Sequence, residues 1–249
     1  MIEQTPKIRT SFICTIPSAV VTQALAQAGA DTVVIDQEHG AVGPENLHAM
    51  IASTAGANCR PVVRVGKRDE AMVKLALDLR AVGIVFPIVN TAQEASDCVA
   101  MTRYPPRGRR GFGPFIGHSR WGMSFQDYLP KVGGTVVCNI QIETKAAIDN
   151  IEAICAVEGI SVLVLAPFDL SVELGCPHQF DNPIFLKAVE QFERATTAPP
   201  PGTMPTATSG WQKNARSKHL FRGASHFQIW RRGAAGMHLE QPDDCDHAD

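Results

Sequence analysis

The chain has 249 residues, 45% of them hydrophobic and 19% charged, with a formal net charge of -2 and a pI near 6.4. That length buries a substantial single core, and the near-neutral balance supplies no basic surface for nucleic acid and no attraction to an anionic membrane. No run approaches the roughly 18 apolar residues of a membrane span, and the opening MIEQTPKIRT lacks the layout of a secretory signal. A cytoplasmic protein is therefore expected. The seven cysteines, Cys14, Cys59, Cys98, Cys138, Cys155, Cys176 and Cys245, form no CxxC pair and read as reduced thiols.

In chain order, Phe12–Ile16 reads as a short strand. Pro17 then opens a helix whose Val20, Val21, Ala24, Leu25 and Ala28 share one face, ending at Gly29. Thr32–Ile35 is the second strand, followed by a helix over Pro44–Thr54 with Leu47, Met50, Ile51 and Thr54 at helical spacing. Pro61–Val65 and Glu70–Leu79 form the third pair, and Ile84–Val89 is the fourth strand. Its helix starts at Asn90 or Thr91, where Thr91-x-x-Glu94 offers a capping box. A Gly-, Pro- and Arg-rich loop, Tyr104 to Gly122, precedes the strand Thr135–Ile142 and the helix Lys145–Ile154. Ser161–Leu165, a short helical turn near Asp169–Leu174 and an amphipathic helix over Asn182–Ala195 complete six β-α units.

Apolar strands alternating with amphipathic helices imply an α/β protein with a parallel sheet covered by helices. A doubly wound sheet and a closed barrel share that pattern. Polar residues recur at strand C-terminal ends (Asp36, Glu38 and His39, then Arg64, Gln141 and Glu143, then Asp169), and their convergence favours a barrel. From Thr196 the composition turns rich in Pro, Gly, Arg and His, with no strand-like run. The expected organisation is a barrel domain over residues 1–195 and an atypical tail over 196–249, irregular or the product of a frameshift.

Three features carry chemistry. Glu143 and Asp169 follow separate strands and, with no cysteine beside them, suit Mg²⁺ or Mn²⁺, with Co²⁺ also tolerated. Either alone reads more readily as a cap on a helix N-terminus, and their joint occurrence with Arg64 and His39 reverses that preference. Arg64 is placed to hold a carboxylate or an enolate oxygen, or to form an ion pair with Asp36 or Glu38. His39 reads as a general base oriented by a carboxylate such as Asp36, or as an ordinary loop residue.

The segments VVIDQEHG, PVVRV, TRYPPRGRRGFG, QIETKAAIDNI and LAPFDLSVELG occur in one order between about Phe12 and Ala195. Together they resemble the HpcH/HpaI family of metal-dependent pyruvate aldolases, of the 4-hydroxy-2-oxoheptanedioate and 2-dehydro-3-deoxyglucarate aldolase type. The resemblance implies a TIM (β/α)₈-type barrel of the phosphoenolpyruvate/pyruvate superfamily, its last two units missing or replaced after Ala195. It implies a homohexamer that cleaves a 4-hydroxy-2-oxo acid to pyruvate and an aldehyde. Glu143 and Asp169 then correspond to the metal ligands, and Gln141 and the backbone at Phe168 to substrate contacts. Arg64 corresponds to the residue that stabilises the enolate oxygen, and His39, assisted by Asp36, to the acid/base. Asp78 corresponds to a carboxylate that reaches a neighbouring subunit's histidine.

The chain departs from the family at Arg80, where a Gly is usual, at Phe168, which replaces a small residue, and after Ala195. Related folds decarboxylate oxaloacetate or cleave acyl-CoA thioesters, and Arg107, Arg109 and Arg110 offer positive charge for phosphates, or a solvated structural loop. An inactive product of a damaged gene is the remaining alternative.

Overall fold

The computed structural model describes residues 10–120, 122–197 and 228–231. Six strands, β1 (Ser11–Cys14), β2 (Thr32–Asp36), β3 (Arg60–Arg64), β4 (Gly83–Phe86), β5 (Val137–Ile142) and β6 (Val162–Leu165), pair in parallel, each with its neighbour in the chain. A doubly wound sheet reverses its strand order at a switch point, and this one does not. With right-handed crossovers, a sequence of strands in unbroken order places every connecting helix on the same face.

Those helices are α1 (Ala19–Gln27), α2 (Pro44–Ala52), α3 (Glu70–Asp78) and α4 (Ala92–Thr102), then α5 (Gly117–Arg120) and α6 (Phe125–Val132), then α7 (Lys145–Asp149), α8 (Ile151–Cys155), α9 (Pro167–Glu173) and α10 (Pro183–Thr197). The period-2 alternation of the strands sorts their side chains. Val33, Ile35, Val63, Ile84, Phe86, Ile140, Ile142, Leu163 and Leu165 join the main core beneath the helices. The opposite parity, Asp36, Val62, Arg64, Val85, Asn139, Gln141 and Val164, faces the other side of the sheet. That second face carries the buried polar groups Asp36, Arg64, Asn139 and Gln141.

Several elements differ from the sequence reading. The α1 face is rotated: Thr22 and Ala26 are buried, whereas Val20 is 74% exposed. Thr22 is tolerated there because its hydroxyl donates to the Ser18 carbonyl at 3.1 Å. Asn150 divides the expected helix Lys145–Ile154 into α7 and α8. The segment between β4 and β5 carries α5 and α6, neither of them expected. It is organised by edge-on contacts of Phe112 with Tyr104, Phe125 and Tyr128. The tail was expected to hold no strand, yet a seventh strand, β7 (Gln228–Arg231), pairs antiparallel with β6. The frameshift reading, and most of the proposed tail over 196–249, lie outside the described residues, as does Cys245. The six described cysteines are all free thiols, five of them buried, and no helix among the described residues is long and apolar enough to cross a membrane.

Arg80 shows why glycine suits its position. After α3, Ala81 donates its N–H to the Ala76 carbonyl at 2.9 Å and Arg80 donates to Leu77 at 3.1 Å. This paired closure needs a left-handed residue, and Arg80 adopts φ 91°. The ends of α1 and α9 use Gly29 and Gly175 at the equivalent place. Burial also disfavours the Arg80 charge, lowering its pKa to about 9. Arg80→Gly is therefore expected to stabilise the fold by about 1 kcal/mol, read as a rise of about 2–4 °C in the thermal midpoint. A fall in the midpoint would mean that the guanidinium's own contacts outweigh the backbone strain.

Candidate active site

The strand register builds the centre of the site. Pairing Thr32 with Arg60 brings Asp36, the last residue of β2, opposite Arg64, the last residue of β3. The Arg64 guanidinium grips Asp36 with two parallel bonds, Nε to Oδ1 at 2.8 Å and Nη2 to Oδ2 at 2.6 Å. Its Nη1 donates to Gln141 Oε1 at 3.4 Å, and Glu38 Oε2 lies 3.2 Å from Nε. Asp36 and Arg64 are both buried. Burial works against each charge, and the bidentate pair more than offsets it, holding the Asp36 carboxyl below its usual range and raising Arg64.

After Asp36 the chain turns sharply. The amides of Glu38 and His39 donate to Asp36 Oδ1 at 3.0 and 3.4 Å. A Cβ at Gly40 would come within 2.3 Å of the Asp36 carbonyl oxygen and 2.9 Å of that of Thr15. Only glycine fits where the two loops approach this closely. The turn projects the His39 side chain outward, 62% exposed.

Asp36 does not partner the imidazole, as the sequence reading had it. Both its oxygens are committed to Arg64 and to backbone amides, and the carboxylate paired with the imidazole is Glu38, with Oε2 at 3.8 Å from His39 Nε2. Burial pushes the Glu38 carboxyl up, and the charges of Glu143 and Asp36 add to that against the pull of Arg64. Glu38 belongs to the cluster visible in the sequence, which offers it as one of two partners for Arg64, whereas its contact with His39 emerges only in three dimensions.

Glu143 follows β5 and is buried. One carboxylate oxygen accepts from Gln141 Nε2 and the other from the backbone N–H of Ile88, in the loop between β4 and α4. Burial raises its pKa, these two donors oppose the rise, and the charge of Asp169 adds to it. Asp169 sits exposed in the first turn of α9, where its charge also meets the positive end of the helix. Phe168, one residue earlier, is half-exposed and packs edge-on against His178 and Phe180.

Asp78 stands apart. It ends α3, about 13 Å along the helix from the β3 end, and its Oδ1 accepts from the buried Arg110 at 2.9 Å. Arg110 also lies over the Tyr104 ring at 4.5 Å, and Arg109 is paired with Glu70 and Asp97. The loop is thus structural, as one of its two readings expects; Arg109 forms its pairs at the surface, whereas Arg110 is buried rather than solvated.

The site gathers three carboxylates, Asp36, Glu38 and Glu143, around one guanidinium, with Asp169 near enough to act on Glu143. Two are raised by burial and mutual repulsion, so the arrangement favours a cation. The donors are all oxygen, which fits a hard divalent ion. Among the described residues no three His, Cys, Asp or Glu side chains form a metal cage. Glu143 and Asp169 would leave most of the coordination to water and substrate oxygens, as Mg²⁺ prefers.

Comparison with known proteins bears on the family and the fold. The chain is 33% identical over 174 residues to 2-keto-3-deoxy-L-rhamnonate aldolase of Escherichia coli (strain K12), covering 70% of this chain and 65% of that protein. It is 38% identical over 155 residues to hydroxypyruvate/pyruvate aldolase of Chromohalobacter salexigens, covering 61% and 60%. The match thus spans less than two thirds of either relative. Among solved structures, the HpcH/HpaI aldolase from Desulfitobacterium hafniense superposes with a TM-score of 0.71 at 27% identity, covering 76% of this chain and 74% of that one. Macrophomate synthase superposes with a TM-score of 0.67 at 31% identity, covering 75% and 66%. The sequence profile described as HpcH/HpaI aldolase/citrate lyase matches residues 12–233, a span that holds every site residue above and, but for Ser11, every described strand. The parallel fold, the paired strand ends and this match place the chain in the HpcH/HpaI aldolase/citrate lyase family.

Proposed function

We propose that the protein is a divalent-metal-dependent carbon–carbon lyase that cleaves a 4-hydroxy-2-oxo acid to pyruvate and an aldehyde. The observation that carries this reading is the convergence of Arg64, Gln141 and Glu143 in one hydrogen-bonded row beside His39 and Asp169. Membership of the family and the aldolase names of its relatives support it. The reading includes closure of the sheet into a (β/α)₈-type barrel and assembly as a homo-oligomer in the cytoplasm. Asp78 enters it only through a neighbouring subunit.

Glu143 and Asp169 would hold the divalent cation, Mg²⁺ or Mn²⁺. Once bound, that ion would supply a Lewis acid for the 2-oxo acid. The protein's own groups do the rest. His39, projecting from the β2 loop, takes the proton of the substrate's 4-hydroxyl. The C3–C4 bond then breaks, the aldehyde departs, and the electron pair passes to the enolate of pyruvate.

Arg64 has five N–H groups. Asp36 takes two and Gln141 one, leaving hydrogens free to meet the enolate oxygen as its charge develops. Because Asp36 fixes the guanidinium beforehand, little reorganisation accompanies the step. Protonation at C3 completes pyruvate. Gln141, tied to both Arg64 and Glu143, holds the donor and the carboxylate in fixed relation.

The test is proton exchange at the pyruvate methyl group in D₂O, followed by NMR with Mg²⁺ present and then chelated. It reads enolate formation without the aldehyde. Exchange that requires the ion is the expected result. A folded, soluble chain that exchanges no protons with Mg²⁺ or Mn²⁺ would sink the proposal.

A further inference from the structure

Ile88 has a backbone that its residue type does not choose. It is β-branched, yet φ is 51°, a region where a β-branched residue is a genuine outlier. Packing does not force it there, because the side chain is 52% exposed. Polar contacts on both sides of its Cα hold it. Its N–H donates to Glu143 Oε1, and its carbonyl accepts from Arg68 Nη1.

Arg68 is fixed in turn. Its Nη2 bonds Glu94 Oε1 at 2.6 Å, and the second oxygen of Glu94 accepts from the Asn90 amide at 2.7 Å. Thr91 caps α4 by accepting from the Glu94 amide at 3.2 Å. The first turn of α4 thus anchors a carboxylate, the carboxylate anchors an arginine, and the arginine clamps the carbonyl of Ile88. Thr144, next to Glu143, closes the loop from the far side by donating its hydroxyl to Asn90 Oδ1.

We propose that Arg68 is a positioning residue for the Glu143 carboxylate, acting through the backbone of Ile88. The inference rests on the reading of Glu143 as a metal ligand. Without the Arg68 clamp, Ile88 relaxes towards the negative φ that its side chain favours. Its N–H then swings off Glu143 Oε1, and the carboxylate keeps only its bond from Gln141. Partners that orient a metal ligand from outside typically carry 10–100-fold in metal affinity. The role belongs to the Ile88 backbone, so a residue that accepts positive φ can replace it.

Mn²⁺ binding to the full chain, read by the EPR signal of free ion, tests this without any turnover. Arg68→Ala is expected to weaken Mn²⁺ binding about tenfold, with partial rescue in Arg68→Lys, which restores charge but not the two-pronged grip. Glu94→Gln, which keeps an acceptor for the Asn90 amide, is expected to weaken binding in the same direction. Ile88→Gly is expected to stay within about twofold of the unaltered chain, because glycine reaches positive φ freely. If the unaltered chain binds Mn²⁺ through Glu143 and Asp169 but Arg68→Ala binds equally well, the positioning role is overturned and the metal site stands. If the unaltered chain binds no Mn²⁺, the metal-ligand reading of Glu143 fails first, and the positioning role falls with it.

Discussion

Arg64→Met is expected to lower the unfolding free energy by about 3–5 kcal/mol, because it leaves a buried carboxylate without its counter-charge. The side chains of Arg64 and Asp36 are only 8% and 0% exposed, and two bonds of 2.8 and 2.6 Å join them. Methionine approximates the arginine stem in volume, so the loss reports charge rather than a cavity. The informative control is the double replacement Asp36→Leu with Arg64→Met. Removing both members of a buried pair is often neutral or stabilising, so part of the lost stability should return. The remainder stays with Glu38 and Glu143, which lose the same guanidinium, and with the two amides that donate to Asp36. Urea unfolding measures both, and pyruvate proton exchange should be absent in both. A cost below about 1 kcal/mol for the single variant, the range of exposed pairs, would show that water reaches the pair in solution.

Glu143→Ala is expected to slow metal-dependent exchange of pyruvate methyl protons at least about a hundredfold, the scale on which a preorganised electrostatic contact acts. It should also abolish stabilisation by the ion. A ligand that binds only the folded state at a hundred times its Kd adds about 2.7 kcal/mol. For a chain of this size that corresponds to a rise of about 5–10 °C in the thermal midpoint. Asp169→Ala should lose both effects too. The two variants differ in the chelated protein. Asp169 is exposed and its removal should leave the midpoint near that of the unaltered chain, whereas Glu143 is buried and bonded to Gln141 and Ile88. An ion-induced rise that survives in Glu143→Ala would place the cation elsewhere.

The six parallel strands were legible because each is an apolar run, as strands covered on both faces are. The polar residues at their ends were legible for a related reason. Asp36 shares the parity of Val34, Arg64 that of Val62, and Gln141 that of Asn139, so each faces away from the helices. Their pairing was left open in sequence, since Arg64 had two carboxylates within reach. Register decides it, because Asp36 stands opposite Arg64. Glu38, beyond the strand, is left to Arg64 Nε and the imidazole.

Backbone-borne features left weaker traces. Nothing in PIVN announces that Ile88 takes a positive φ, because the cause lies in Glu143 and Arg68, which are remote in sequence. Arg80 was marked by its departure from the family's glycine, and the helix-closing bonds supply the reason. Hydrophobicity alone ranks Val20 above Thr22, and so does not reveal the orientation of α1. Packing on α2 and β2 instead selects small residues that allow close approach.

Four of the five parallel pairings join residues 21 to 28 positions apart, as Ser11 meets Thr32 and Thr32 meets Arg60. The exception is Gly83, which meets Val137 54 positions on, across the segment that carries α5 and α6. In loop-closure entropy this twofold lengthening costs only about 0.6 kcal/mol. A single well-oriented ring pair contributes about 0.5–1.5 kcal/mol, so one of the Phe112 contacts suffices to offset it. The passage from β4 to β5 is therefore where the fold gains length almost without thermodynamic consequence, at the ends of strands opposite to those that carry Asp36, Arg64 and Gln141.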